Sequence, residues 1–280
     1  MSTSFDLFTS LRWDPILLSE SFNTEVNHGM PSSFLLFPYH VDRLIHAARA
    51  FNWPKAIAMM EEPGVEKKLR GLCEQAVEEF VGDKNGGQEG GLRERNINLR
   101  CKSQIRILLS IDGSLKAEPY SASSLQRPPL AAAYFNPTAL SNSSPPQPIL
   151  SVHLDTQPTP STLYTSFKTT FRAHYDSART RASIFDRTTP REVIMYNESS
   201  EITEGSLRNV AFWREGGWVT PSLDSGGLDG TVRRYLLEKG VLREERIMKD
   251  DVKPGEWVLL SNGIDVTILG RMVDGMKTVE

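Results

Sequence analysis

Residues 5–13 alternate as a strand does, setting Phe8, Ser10 and Arg12 toward one side and Leu7, Thr9 and Leu11 toward the other. Pro15 ends that run. Beyond Phe34-Leu35-Leu36-Phe37-Pro38 the period changes: Leu44, Ala47, Ala48 and Phe51 recur at helical spacing, which predicts a helix over 39–51 with one stripe toward a core. Val65, Leu69, Leu72, Ala76 and Phe80 predict a second helix over 64–80. Residues 83–91, rich in Gly, Asn and charge, read as a loop. Two strands, 98–111 and 115–119, flank Asp112-Gly113, a strong hairpin signal.

Residues 136–148 lack any period and are dense in Pro, Ser and Asn, so they read as a junction or insertion between an N-terminal domain (1–135) and a C-terminal one (149–280). The second half opens with a strand over 149–155. A helical pattern then runs over 169–185, with Phe171, Tyr175, Ala178 and Ala182 in register. Strands follow at 192–196, 209–213 and 218–220, with a hairpin tip at 197–201 and a turn at Gly216-Gly217. A helix over 231–238 and strands at 257–261 and 266–269 complete the chain. Interspersed helices among dominant strands, with few βαβ units, predict an α+β fold.

Composition narrows the class without choosing within it. A chain of 280 residues that is 39% hydrophobic can bury a substantial core. Its formal charge of −3 and scattered basic residues argue against nucleic acid as the main partner. The two cysteines, Cys73 and Cys101, have no metal-ligand spacing, and a reducing compartment is the simpler inference. No secretory signal or membrane-length apolar run is readable, so the expected location is the cytoplasm.

Four fragments carry candidate chemistry. In Ser166-Phe167-Lys168-Thr169-Thr170 a lysine is expected at the head of a helix, where the macrodipole disfavours its charge and leaves an amine able to condense with an aldehyde. Thr203-Glu204-Gly205-Ser206 sets a carboxylate beside a glycine in a strand-flanked turn, where a planar ring could approach. Gly226-Gly227-Leu228-Asp229-Gly230 leads into the helix at Thr231, so backbone N–H groups there could face an anion. His40-Val41-Asp42-Arg43-Leu44 supplies Arg43 as a second anion anchor. Taken singly, each has a bland reading as a solvated lysine, an acidic turn, a common loop or a surface arginine.

Read in order, Arg43-Leu44, Lys168-Thr169, Thr203-Glu204-Gly205 with Asn209, Val219-Thr220-Pro221 and Gly230-x-x-Arg233 resemble the class IV aminotransferase family, with Lys168 and Glu204 36 residues apart. The resemblance implies the two-domain fold type IV of pyridoxal 5'-phosphate enzymes, as in branched-chain aminotransferases. It also implies a homodimer. It makes Lys168 the Schiff-base lysine and Glu204 the partner of the pyridine nitrogen. Arg43 and the amides of Thr231 and Val232 become the phosphate cup, Ser261 or Asn262 the last phosphate-side contact, and Asn209 a support for the loop. The chain departs from many members in starting almost at its first active-site strand, without their extra N-terminal segment.

Residues 8–15, 165–175 and 233–237 are similar to the fungal type of aminodeoxychorismate lyase. That resemblance implies conversion of 4-amino-4-deoxychorismate to 4-aminobenzoate and pyruvate, a step toward folate, through an external aldimine. Lys168 acts first as Schiff-base former and then as base. A substrate with two carboxylates calls for cations, and Arg12, Arg172 and Tyr175 are the candidates, with Ser10 as a hydrogen-bonding group. An aminotransferase for branched-chain amino acids, D-amino acids or amines would use the same Lys168 and Glu204, and a non-catalytic protein of the same fold is the third alternative.

Overall fold

The computed structural model describes residues 5–84, 102–125, 128–139, 144–186 and 188–274. It divides into two compact units: Met1–Ser124 with Lys168–Thr170, and Leu125–Phe167 with Phe171–Glu280.

The first unit holds an antiparallel sheet in the order β1 (Leu7–Trp13), β2 (Ser103–Leu109), β3 (Leu115–Ser121). The expected Asp112-Gly113 hairpin joins β2 to β3, and Gly113 takes φ +87°, a conformation that favours glycine. Residues 98–101, expected at the start of β2, and 85–91 of the expected loop lie outside the described residues. Among the described residues, four helices accompany this sheet: α1 (Ser21–Val26), α2 (Phe37–Ala50), α3 (Pro54–Met60) and α4 (Val65–Lys84). Phe37 and Pro38, which precede the helix expected over 39–51, form the first turn of α2, because proline is pre-set for that position. Asn23, itself buried, accepts the amide of Leu36 through Oδ1 at 2.8 Å and fixes the turn into α2. Leu44, Ala47 and Ala48 of α2 are buried as the period requires. The alternation in β1 does not leave an open side: Leu7, Leu11 and Trp13 are buried, and so are Phe8 and Arg12. Each fully buried leucine here contributes about 1.5–3 kcal/mol of transfer free energy.

The second unit is an eight-stranded mixed sheet. Its strands are β4 (Ile149–Leu154), β5 (Arg191–Tyr196), β6 (Ile202–Gly205), β7 (Asn209–Arg214), β8 (Gly217–Pro221), β9 (Leu242–Glu245), β10 (Trp257–Asn262) and β11 (Val266–Met272). They lie in the order β6-β5-β4-β11-β10-β7-β8-β9. Three pairs, β4–β5, β4–β11 and β8–β9, are parallel. Helices α5 (Leu163–Ser166), α6 (Ala173–Arg181) and α7 (Thr231–Glu238) accompany it. One core gathers Val152, Ile194, Phe212, Val258 and Leu260, and a second sets Tyr175, Ala178 and Ala182 of α6 against Val193 and Met195 of β5.

The division differs from the expected domains in two places. Residues from 125 onward already count with the second unit, where Phe135 packs edge-on against Trp257 and the carbonyl of Pro129 accepts from Thr267 Oγ1 at 2.7 Å. Within the expected junction, residues 140–143 lie outside the described residues. Lys168–Thr170, expected in the C-terminal domain, counts with the first unit, for a reason set by backbone pairing at the site.

Candidate active site

Lys168 does not open a helix. Phe167 is extended, α6 begins only at Ala173, and between them the chain pairs with the start of the molecule. The Lys168 carbonyl accepts from Phe8 N at 2.9 Å, and Thr170 N donates to Asp6 O at 2.9 Å. The Thr170 hydroxyl accepts from Asp6 N at 2.9 Å, and Thr169 bridges Leu7 as a strand residue. The helical spacing of Phe171 with Tyr175 was therefore misleading, and Phe171 is exposed outside α6. With no helix head at residue 168, the macrodipole has no part in its chemistry.

The surroundings of that lysine supply another source of electrostatic bias. Half-buried Lys168 puts Nζ 5.2 Å from the ring centroid of Phe8, and the guanidinium of Arg106 lies 4.2 Å from the same centroid. Register explains the second approach: Arg106 on β2 faces Ser10 on β1. Among the described residues, Arg106 Nε is buried with no hydrogen-bond partner. Its neighbour across β3, Glu118, is bonded to Lys116 and Tyr120. On the other side of β1, Thr9 Oγ1 meets Nδ1 of His40 at 2.6 Å, with both residues fully buried. Burial, then the charges of Arg43 and Lys168, hold His40 well below the usual imidazole range, so it is neutral. Arg43, one turn further along α2, is half-buried.

Arg12, expected to bind substrate, sits in a buried pair. At 1% exposure it donates from Nε (3.1 Å) and Nη2 (2.9 Å) to Asp14 Oδ2, and Nη2 also reaches the carbonyl of Ser123. Asp14 in turn accepts the amide of Ile16 and caps the following 3-10 turn. The side chain thus anchors the end of β1.

In the second unit Glu204 is 4% exposed and lies within β6, not in a turn. Its Oε1 accepts the hydroxyl of Tyr175 at 2.6 Å. Burial, then the Glu204 charge, pushes Tyr175 well above the usual phenol range, so it is a neutral donor. Arg172 stacks over the Tyr175 ring at 4.0 Å and donates to the Ser206 carbonyl at 3.0 Å. Both residues, expected at the substrate, are thereby engaged around Glu204. His174 also packs on Tyr175, and burial followed by the Arg172 charge lowers it to about 4.

Behind Glu204 a buried charge network stiffens the loop. Glu192, 1% exposed, accepts from Ser206 N (3.0 Å), Ser206 Oγ (2.6 Å) and Arg208 Nη1 (2.9 Å). Arg208 Nη2 continues to Asp265 at 2.6 Å. Asn262 is tied into the β10–β11 turn through Asp265 N and Ile264 N, and Ser261 is buried on β10 opposite Asn209.

Asn209 holds the glycine loop that leads into α7. Asn209 Nδ2 donates to Leu228 O at 2.7 Å, and a Cβ built on Gly230 would lie 1.7 Å from Asn209 Oδ1. A Cβ on Gly227 would come to 2.9 Å from Thr203 O, so only glycine lets this loop approach β6. Helix α7 starts at Thr231 with no side-chain cap from Gly230, and Thr231 and Val232 are buried in its first turn. Arg233 is buried and bonded to Pro221 O, Asp229 and Glu244.

Two neighbours of Lys168, His40 and Arg106, were not singled out as site residues from the sequence. His40 stood inside a quoted fragment, three residues before Arg43, and that spacing alone puts both on one helix face.

The chain also matches known proteins. The family model described as amino-transferase class IV covers residues 18–268. The chain is 30% identical over 230 residues to the aminodeoxychorismate lyase of Saccharomyces cerevisiae, covering 73% of this chain and 61% of that one. A Schizosaccharomyces pombe protein bearing the same name in qualified form is 39% identical over 109 residues, covering 38% of this chain and 47% of that one. The chain thus spans about half to three-fifths of the length of these fungal relatives. Among solved structures, a fold IV transaminase from Curtobacterium pusillum aligns with a TM-score of 0.59 at 16% identity, covering 97% of this chain and 80% of that one. A hypothetical aminotransferase from Mycobacterium tuberculosis, with alpha-ketoglutarate and PMP bound, aligns with a TM-score of 0.57 at 16% identity, covering 96% and 81%. At these identities the two structures carry the fold alone.

Proposed function

Since this chain belongs to the class IV amino-transferase family, with the α+β architecture of fold type IV, we propose that it is a pyridoxal-phosphate-dependent lyase converting 4-amino-4-deoxychorismate to 4-aminobenzoate and pyruvate. The yeast relative's name and the 30% identity support the choice of lyase over aminotransferase. One observation of geometry carries the reading: Lys168 and Arg106 both approach the ring of Phe8, so a condensing amine and a cation for a carboxylate stand together.

The donor set suits the cofactor. Lys168 offers a primary amine to an aldehyde. Glu204, a buried carboxylate held by a phenol, offers an anionic oxygen to a ring N–H. Helix α7, uncapped by side chain at Gly230, offers the amides of Thr231 and Val232 to a phosphate, with Arg43 as a further anchor. When bound, the cofactor supplies a cationic ring that accepts electrons from the carbon bearing the substrate amine.

The residues divide the remaining work. Lys168 would serve as the base, its Nζ accepting the proton of that carbon. Arg106 holds a substrate carboxylate in place of Arg12 and Arg172, and Ser10, its half-buried partner across β1, lies in reach of the same group. Cleavage of the ring carbon–oxygen bond would then release the whole enolpyruvyl group as enolpyruvate, which takes up a proton to become pyruvate, and aromatisation of the ring would drive the step.

The test is a product assay on purified protein with added cofactor. Formation of 4-aminobenzoate and pyruvate supports the lyase. Keto-acid-dependent amine transfer without aminobenzoate overturns it in favour of an aminotransferase. A visible cofactor band, reduced by borohydride and absent in Lys168→Ala, tests the lysine. The homodimer and the cytoplasmic location rest on the family resemblance and the sequence reading; sedimentation and fractionation test them.

A further inference from the structure

A carboxylate at 4% exposure, as Glu204 is, needs help to stay ionised and to keep one orientation. The described residues show where that help comes from. Tyr175 is 5% exposed, and its hydroxyl meets Glu204 Oε1 at 2.6 Å, the length of a charge-assisted bond. Its ring is fixed on two sides, by the Arg172 guanidinium at 4.0 Å and the His174 ring at 4.0 Å. Arg172 is itself pinned to the Ser206 carbonyl, two residues beyond Glu204. Among the described residues, the phenol's hydrogen bond goes to Glu204.

We infer that Tyr175 is a positioning residue: it fixes the Glu204 carboxylate, through its hydroxyl, in the orientation that receives the cofactor's ring nitrogen. This rests on the proposed reading of Glu204. Neutral at all working pH values because burial and Glu204 raise it, the phenol acts only as a donor. Its effect passes entirely through Glu204, which sets it apart from a substrate-binding tyrosine.

The distinguishing experiment is a double-mutant cycle read by cofactor affinity, with pyridoxal phosphate titrated into apoprotein and followed by its absorbance. Tyr175→Phe keeps the packed ring and removes only the hydroxyl. Affinity should fall roughly 10- to 100-fold, the worth of a hydrogen bond to a charged group. In a Glu204→Gln background the same substitution should change affinity less than about threefold, since the acceptor charge is gone. In turnover, kcat should fall while KM for substrate stays within about twofold. Site-specific incorporation of a fluorinated tyrosine at 175, a stronger donor on the same ring, should hold affinity at or above wild type, and it serves if Tyr175→Phe fails to fold. Equal losses in both backgrounds, or a KM effect without an affinity effect, overturn the inference. A wild-type protein that forms no borohydride-reducible band with the cofactor overturns the reading of the site itself, and this inference with it.

Discussion

Thr9 Oγ1 and His40 Nδ1 meet at 2.6 Å in the buried space between β1 and α2, and this bond couples the strand paired with Lys168 to the helix bearing Arg43. Thr9→Val keeps the shape and strands the imidazole nitrogen. It should destabilise the protein by about 1–3 kcal/mol, measured as a fall in the urea midpoint at constant slope. An unchanged midpoint would mean that the pair contributes nothing.

Acid should destabilise the fold as its buried histidines are forced to take a proton. His40 is held well below 6.5 and His174 lies at about 4, so the unfolded chain binds more protons than the folded one beneath pH 6.5. Stability is therefore fully present above 6.5 and is lost as pH falls toward 4. Denaturation midpoints across that window should drop, and His174→Gln should flatten part of the slope.

Arg106 should report on substrate alone. Arg106→Gln removes the charge beside Phe8 and should raise KM roughly 10- to 100-fold while leaving cofactor affinity within about twofold. If cofactor binding fell instead and KM held, the residue would belong to the cofactor.

Breaking the network behind Glu204 should be costly. Glu192 and Arg208 are paired at 2.9 Å with side chains 1% and 11% exposed. Arg208→Met leaves a buried anion without its partner and should cost about 3–5 kcal/mol in urea unfolding. A loss under about 1 kcal/mol would show that Ser206 alone satisfies Glu192.

Gly230→Ala should damage the glycine loop, because its Cβ would fall 1.7 Å from Asn209 Oδ1. Asn209 cannot step aside cheaply while bonded to Leu228 O. Cofactor affinity should fall about tenfold, and Asn209→Ala should recover part of that loss when combined with it, the signature of a shared clash.

Local patterns in the sequence were legible where local physics governs. Asp112-Gly113 gave the hairpin, and the helix over 231–238 appears as Thr231–Glu238. Strands flanking Gly216 and the stripe of α2 were equally readable. Lys168 was misread because its conformation is decided by Asp6 and Phe8, which no short window of sequence contains. Helix α3 and edge strand β9 escaped for different reasons: α3 begins at Pro54 and has only seven residues, too few to show a period, and β9 is mostly charged. Of the expected cations, Arg12 and Arg172 look identical to Arg106 in a sequence. Only the positions of Asp14, Tyr175 and Phe8 separate a buried anchor from a guanidinium with an unsatisfied nitrogen.

Asp6 and Thr170 are bonded across 164 positions of chain. During synthesis, then, the first strand has no mate for this edge until residues 168–170 have left the ribosome. Loop closure over that span is entropically slow to initiate. An N-terminal fragment ending before residue 168 would expose the amide of Phe8 and the backbone of Asp6, an unpaired strand edge of the kind that recruits other chains into aggregates.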